Sequence, residues 1–289
     1  MPTDLRRAAL HALIAAAAFS ITGACVKAAA ASGTPNAVVV FVRCLVSLLT
    51  LAPWLLRDGF DAVRTQRPFG HLARASFGVA SMYCFFWSIG ALPLATAMLL
   101  TYSTPLWIPF VAWIWLRERP SRGTFPAVLL GLAGIVLMLK PDPRTLLDHA
   151  ALVGVSAGML AACAMVGIRR ITDTEPPERI VFYFALLATV ISTLPLAWAW
   201  QTPALPTLLL LIVGGIFATV GQLHLTRAYS LAPAASVGPF TYVAVPFSAL
   251  VAWLIWDEHL PSSAWLGALL VIATCILVSR KRPEPHLEE

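Results

Sequence analysis

Ten stretches of about twenty mainly apolar residues follow one another with very little chain between them. They run over 8–30, 36–56, 72–91, 95–116, 124–140, 149–168, 179–200, 206–227, 234–256 and 262–279. A helix that crosses roughly 30 Å of hydrocarbon at 1.5 Å per residue needs about 20 such residues. The connections are too short to hold a separate soluble domain. A closed barrel would alternate apolar and polar residues, whereas Ala15 to Ala18 and Leu208 to Leu211 are continuous apolar runs. The spacing therefore predicts an all-α integral membrane protein with ten transmembrane helices. Composition agrees: 59% of residues are hydrophobic and 12% are charged, about half the charged share of a soluble domain. The net charge of +6 fits loops held against an anionic leaflet. It does not point to nucleic acid.

Basic residues fix a direction, because Lys and Arg collect on the cytoplasmic side. With the N-terminus inside, sixteen of the 20 fall in inside segments, Arg74 among them. Only Lys140 and Arg144 fall outside, and Lys27 and Arg43 lie within or at the edge of helices. Both termini are thus expected in the cytoplasm. Arg6 and Arg7 before an apolar stretch imitate a secretory signal. The stretch is longer than a signal core, however, and Lys27 interrupts it, so the segment reads as a retained first helix. Cys25, Cys44, Cys84, Cys163 and Cys275 all lie inside expected helices with no metal-like spacing. They read as small apolar packing residues, and no cofactor is implied.

Sliding the chain by 140 positions exposes a repeat. Leu92 to Glu118 aligns with Ala232 to Glu258, matching Pro93/Pro233, Ala95/Ala235, Thr101/Thr241, Tyr102/Tyr242, Val111/Val251, Ala112/Ala252, Trp113/Trp253 and Glu118/Glu258. The register continues through Leu129/Leu269, Leu130/Leu270, Ala133/Ala273 and Leu137/Leu277. Apolar composition alone does not supply Thr-Tyr, Ala-Trp and Glu in one register. The shift equals five helices, an odd number, so the halves would cross the membrane in opposite senses. The division is residues 1–145 and 146–289, two inverted-topology five-helix repeats. Such duplications are typical of secondary transporters, whose sites lie near the midplane between the halves.

These features together resemble the EamA domains of the drug/metabolite transporter superfamily. Arg43 precedes Pro53 in the second helix. The turn Gly90-Ala91-Leu92-Pro93-Leu94-Ala95 matches Ser230-Leu231-Ala232-Pro233-Ala234-Ala235. Trp115-Leu116-Arg117-Glu118 and Ile255-Trp256-Asp257-Glu258 close the fourth and ninth helices. The resemblance covers essentially the whole chain. It implies an ATP-independent carrier of a small organic solute in a bacterial inner membrane. Members of the family handle amino acids, S-adenosylmethionine, riboflavin, nucleotide sugars or sugar phosphates. Ile171 to Glu175 and Gly221 to His224 are similar to the branch of riboflavin and S-adenosylmethionine importers.

Polar groups inside hydrocarbon are costly, so they are the first candidates for a solute path. All 14 acidic residues lie in loops, at helix ends or in the tails. Without a buried carboxylate relay, a facilitator or exchanger is favoured, with histidine left as a proton carrier. Arg43, about 10 Å below the outer end of its helix at 1.5 Å per residue, suits a substrate carboxylate or phosphate, or a structural ion pair. Lys27 is explained equally by ligand binding and by snorkelling. Gln222 and His224 either bind substrate or bond between helices; two positions apart, they face different ways. His11 reads as interfacial. Tyr102 and Tyr242 are related by the repeat and share their helices with Pro105 and Pro109, and with Pro239 and Pro246. Proline removes a backbone donor, and interrupted helices often meet at a substrate. This pair is the leading site expectation, with helix packing as the alternative. Tyr83 and Trp87, four apart and so on one face, would form an aromatic wall with Phe19, Met82 and Trp107, suited to stacking a planar ring. Gly131, Gly134, Gly154 and Gly158 allow close helix approach, within the chain or in a homodimer.

Two other classes were weighed. A membrane enzyme would need a nucleophile with its base, or metal ligands, and no HExxH, Walker A, GxSxG or paired intramembrane aspartate occurs. A structural or sensory membrane protein has no need of an inverted duplication.

Overall fold

The computed structural model describes residues 4–92, 94–121, 123–147, 149–257 and 262–280. Pro93 and Glu258 of the repeat, and Arg122, Lys281 and Arg282 among the sixteen inside basic residues, lie outside them. The described residues form α-helices and short 3-10 turns, with no strand among them. In order the helices are α1 (Leu5–Ala31), α2 (Asn36–Thr50), α3 (Ala52–Asp58), α4 (Pro68–Ala91), α5 (Leu94–Thr101), α6 (Thr104–Leu116), α7 (Thr124–Leu139), α8 (His149–Ile171), α9 (Pro177–Ser192), α10 (Leu196–Ala199), α11 (Leu205–Leu231), α12 (Ala234–Val237), α13 (Ala244–Trp256) and α14 (Ser262–Arg280).

Local chemistry sets many of the ends. Asp4 caps α1, its Oδ1 accepting from the Arg7 amide at 3.1 Å, which satisfies one free N–H of the first turn. Proline occupies the first turn of α3, α4, α6, α9 and α11, where its missing N–H would have had no partner. Three expected spans are therefore broken. Residues 36–56 divide at Leu51, residues 95–116 divide between α5 and α6, and residues 234–256 run through α12, a 3-10 turn over Gly238–Val243 and α13. The last two breaks fall at Tyr102–Ser103 and around Tyr242.

Among the described residues six stretches are long and apolar enough to cross a membrane: Leu5–Ala31, Asn36–Asp58, Thr96–Leu116, His149–Ile171, Leu205–Leu231 and Ala234–Trp256. Thr124–Leu139 and Ser262–Val278 are shorter apolar helices. The expected third and seventh spans correspond to α4, which carries His71 and Arg74 in its first two turns, and α9, which has 16 residues. Large apolar side chains face outward along many of these helices, among them Trp113, Leu254, Ile255 and Leu269, each more than half exposed. Such a surface is suited to lipid rather than water.

Inside, α1 lies along α11, α4 along α8, and α7 along α14, while α2 packs between α9 and α11. Glycine permits the closest approaches. A Cβ on Gly134 would stand 2.7 Å from the Gly267 carbonyl oxygen, where α7 meets α14. Gly154 and Gly158 are both filled by Leu100 of α5, so that small-residue face is used within the chain.

Candidate functional site

Arg74, expected among the basic residues of the inside segments, is a buried charge. It lies in the second turn of α4, and proximity to the inner end made it look like a loop residue. In the fold it is only 4% exposed. One Nη donates to Gln222 Oε1 of α11 at 2.8 Å. The guanidinium carbon sits 3.6 Å above the centre of the Phe184 ring of α9, a cation–π contact. Its Nε and other Nη are buried without a partner.

Arg43 of α2 approaches the same place. It is half-buried, one Nη lies 3.5 Å from Met82 Sδ, and its Nε is buried without a partner. The two guanidiniums share neighbours, since Phe184 and Gln222, which hold Arg74, line the same cavity as Arg43. Arg43, Cys44 and Ser47 of α2, Val181, Phe184 and Ala185 of α9, and Thr219 and Gln222 of α11 line one cavity of about 10 Å³. That is room for about one water. Tyr83 and Met82 of α4 pack beside it with Cys44 and Phe184, and the Tyr83 hydroxyl is buried without a partner.

Gln222 and His224 do face different ways. His224 turns to α1 and meets His11, Nδ1 to Nδ1 at 2.8 Å, with ring centres 4.9 Å apart. His11 is thus a half-buried pairing residue.

Tyr102 and Tyr242 come into one apolar cluster with Leu99, Val128 and Ile135. Tyr242 is fully buried, its ring packed on Gly131 and its hydroxyl without a partner. The expected aromatic wall is divided between three places. Phe19, against Gly221, and Trp107 border the main core. Met82 and Tyr83 stand by Arg43. Trp87 is 55% exposed. Trp107 donates to Ser103 Oγ at 3.1 Å, which fixes its ring across the α5–α6 break. Lys27 Nζ lies 4.5 Å from the Trp256 ring centre.

One carboxylate is buried after all. Glu175, in the turn between α8 and α9, is 3% exposed. Its Oε1 accepts from Thr65 Oγ1 at 2.7 Å and the Gln66 amide at 3.1 Å, and its Oε2 accepts from Arg179 at 2.8 Å. Burial pushes its carboxyl up, but these three donors outweigh that and hold it below the usual carboxylate value. His71, 1% exposed and stacked on Tyr183 at 4.4 Å, lies 3.8 Å from the same Oε2. At this end Arg169 of α8 bonds Glu118 at 3.0 Å, Glu118 accepts from the Ala234 amide at 3.1 Å, and Arg227 of α11 bonds Glu178 of α9 at 2.6 Å. Ion pairs here tie helices that are distant in sequence. At the opposite end Ser32, Thr34, Gln201 and Thr207 border a polar cavity of about 120 Å³, below the roughly 300 Å³ of a usual ligand pocket. No group of three metal-ligating side chains occurs among the described residues.

Comparison with known proteins follows the same lines. The model of the EamA-like transporter family matches residues 6–140 and again 149–280. The pseudopaline exporter of Pseudomonas aeruginosa is 32% identical over 96% of this chain and 98% of its own length. A riboflavin transporter of Vibrio cholerae is 27% identical over 94% and 92%. An S-adenosylmethionine uptake transporter of Rickettsia bellii is 26% identical over 83% and 82%. One crystal structure superposes with a TM-score of 0.82 over 95% of this chain and 99% of that one, at 18% identity, which shows a shared fold. The chain belongs to the EamA-like transporter family. It is a multi-pass membrane transporter of a small metabolite, and not an enzyme.

Proposed function

We propose that the chain is an ATP-independent secondary carrier of the inner membrane. It works by alternating access between two inverted five-helix repeats, residues 1–145 and 146–289, with ten spans and both termini cytoplasmic. The observation that carries this reading is the pairing of helices across the 140-residue offset. In that register α1 corresponds to α8, α2 to α9, α4 to α11, α6 to α13 and α7 to α14. The contacts come in matching sets: α1 with α11 and α4 with α8, α2 with α11 and α9 with α4, α1 with α13 and α8 with α6. The self-matched pairs α2 with α9 and α7 with α14 also pack together. This is the pattern of a two-fold axis relating the halves. Both α6 and α13 have 13 residues and end on a left-handed residue, Arg117 (φ 59°) and Asp257 (φ 52°), also 140 apart. Two similar halves of opposite sense can exchange shapes, and so exchange which side is open.

The solute path runs through the Arg43, Arg74, Gln222, Tyr83 and Phe184 cluster, beside the α2–α9 contact. The 10 Å³ cavity there makes the described conformer a closed one, so loading requires helices to part. The relatives, transporters of pseudopaline, riboflavin and S-adenosylmethionine, support a small organic metabolite of that kind as cargo, with an amino acid as a further candidate. Purified protein in proteoliposomes is expected to exchange such a solute without ATP; a strict ATP requirement would overturn the reading. Topology is tested with single cysteines in a variant lacking the five native ones. A cysteine at Ser32 is expected to react with an impermeant thiol reagent in intact spheroplasts, and one at Thr172 only after lysis. The reverse result would overturn the orientation.

A further inference from the structure

Two arginines are held inside a membrane protein without a carboxylate. Among the described residues neither Arg43 nor Arg74 has an acidic group within 4.0 Å. The buried carboxylate closest in sequence to their surroundings, Glu175, has both oxygens engaged by Thr65, Gln66 and Arg179. Burying one unpaired ion costs several kcal/mol even after relaxation, and like charges placed together add to that. Three guanidinium nitrogens remain buried and unpartnered: Arg43 Nε, Arg74 Nε and one Nη of Arg74. A fold that keeps such donors is short of an acceptor.

The geometry also selects the kind of acceptor. Gln222 holds one Nη of Arg74, and the Phe184 ring closes one face of its guanidinium plane. The unpartnered Nε and Nη flank the Nη that Gln222 holds, one on each edge of the plane. Met82, which aligns with Gln222 at the 140-residue offset, stands against Arg43 and gives it only a weak sulfur acceptor. Guanidinium edges match the paired oxygens of carboxylate and phosphate. A neutral ring can offer carbonyl acceptors but no compensating charge, and a cationic sulfonium offers neither.

We propose that Arg43 and Arg74, with Gln222 as the positioning residue, form an oxyanion site that takes a carboxylate or phosphate of the transported metabolite. The proposal rests on the carrier reading above. It adds the charge of the cargo and the atoms that hold it.

The test uses the full chain. Melting is measured in detergent at constant ionic strength with inorganic phosphate, citrate, FMN and its neutral counterpart riboflavin. In parallel, proteoliposomes are loaded with a bacterial small-molecule extract and the released compounds are identified by mass spectrometry. Wild type is expected to be stabilised by the oxyanions, with FMN exceeding riboflavin, since a ligand of the folded state raises the melting temperature. Released compounds are expected to carry carboxylate or phosphate. In Arg43→Gln/Arg74→Gln the oxyanion shift disappears, while the ligand-free melting temperature stays level or rises, because two uncompensated charges are gone. Arg43→Lys/Arg74→Lys guards against a folding defect: it keeps both charges, loses the forked geometry, and is expected to bind about tenfold more weakly, the equivalent of one charge-assisted hydrogen bond.

Oxyanion stabilisation that survives in the glutamine variant would overturn the site. So would riboflavin matching FMN, release of neutral or cationic compounds alone, or no oxyanion response in wild type. Failure of the carrier reading has a different signature: oxyanions stabilise wild type, but no solute leaves its vesicles.

Discussion

His11 and His224 meet across α1 and α11 with their Nδ1 atoms 2.8 Å apart. One ring must donate and the other accept, so the bond survives with no more than one of the two rings charged. His11→Ala and His224→Ala are each expected to destabilise the protein, and the double variant by less than their sum. The coupling expected is about 0.5–1 kcal/mol, in the range of interhelical hydrogen bonds in membranes. A double-mutant cycle of unfolding in mixed micelles measures it.

Glu175 makes acid stability a local property of the end that carries the ion pairs. Its folded carboxyl lies below the ordinary carboxylate value, so it binds protons less readily folded than unfolded. Its contribution is fully present above the unfolded value and is lost as pH falls through the folded one. Glu175→Gln is expected to cost about 1–3 kcal/mol at neutral pH, the price of leaving a buried charged partner short. The gap from wild type is expected to close as pH falls below the unfolded value. Melting curves for both proteins across acid pH check this.

Tyr242 is packed on Gly131, and its hydroxyl has no partner. Tyr242→Phe is therefore expected to retain both stability and transport, and Tyr102→Phe is expected to behave likewise. Gly131→Val, which drives a side chain into the ring, is expected to cost about 1–3 kcal/mol by overpacking. Loss of transport in the stable phenylalanine variants would instead place these hydroxyls on the substrate.

Exchange is expected to outrun net release. Returning empty leaves Arg43 and Arg74 without an acceptor, whereas returning loaded does not. A difference of about 1.4 kcal/mol between the two return steps makes exchange about tenfold faster. Efflux from loaded vesicles, with and without substrate outside, measures the ratio.

Much of the architecture was legible because the bilayer demands long apolar runs and tolerates few exceptions. The broken helices were legible in Pro105 and Pro239, and the family that the chain matches twice in the repeated Thr-Tyr. Arg74 was not legible. A charge in the first two turns of a helix reads as interfacial until the packing of α8, α9 and α11 around it is known. The same limit hid the pairing of His11 with His224, 213 residues apart, and the burial of Glu175. A turn residue is enclosed only when another segment, here Thr65 and Gln66, folds over it. The aromatic wall was misread for a related reason. Spacing assigns residues to a face of one helix, but not what that face meets, and Trp87 shares a helix with Tyr83 while remaining exposed.

The unpartnered guanidinium edges of Arg43 and Arg74 carry a consequence for energetics at the scale of the cell. A cargo held there brings negative charge, and each elementary charge crossing the bilayer is worth about 2.3 kcal/mol per 100 mV. With the cytoplasm negative, the membrane voltage pulls such a cargo outward. If the two arginines stay in place while the cargo crosses, the voltage drives outward movement, and accumulation inside would require a counter-ion or an exchanged anion.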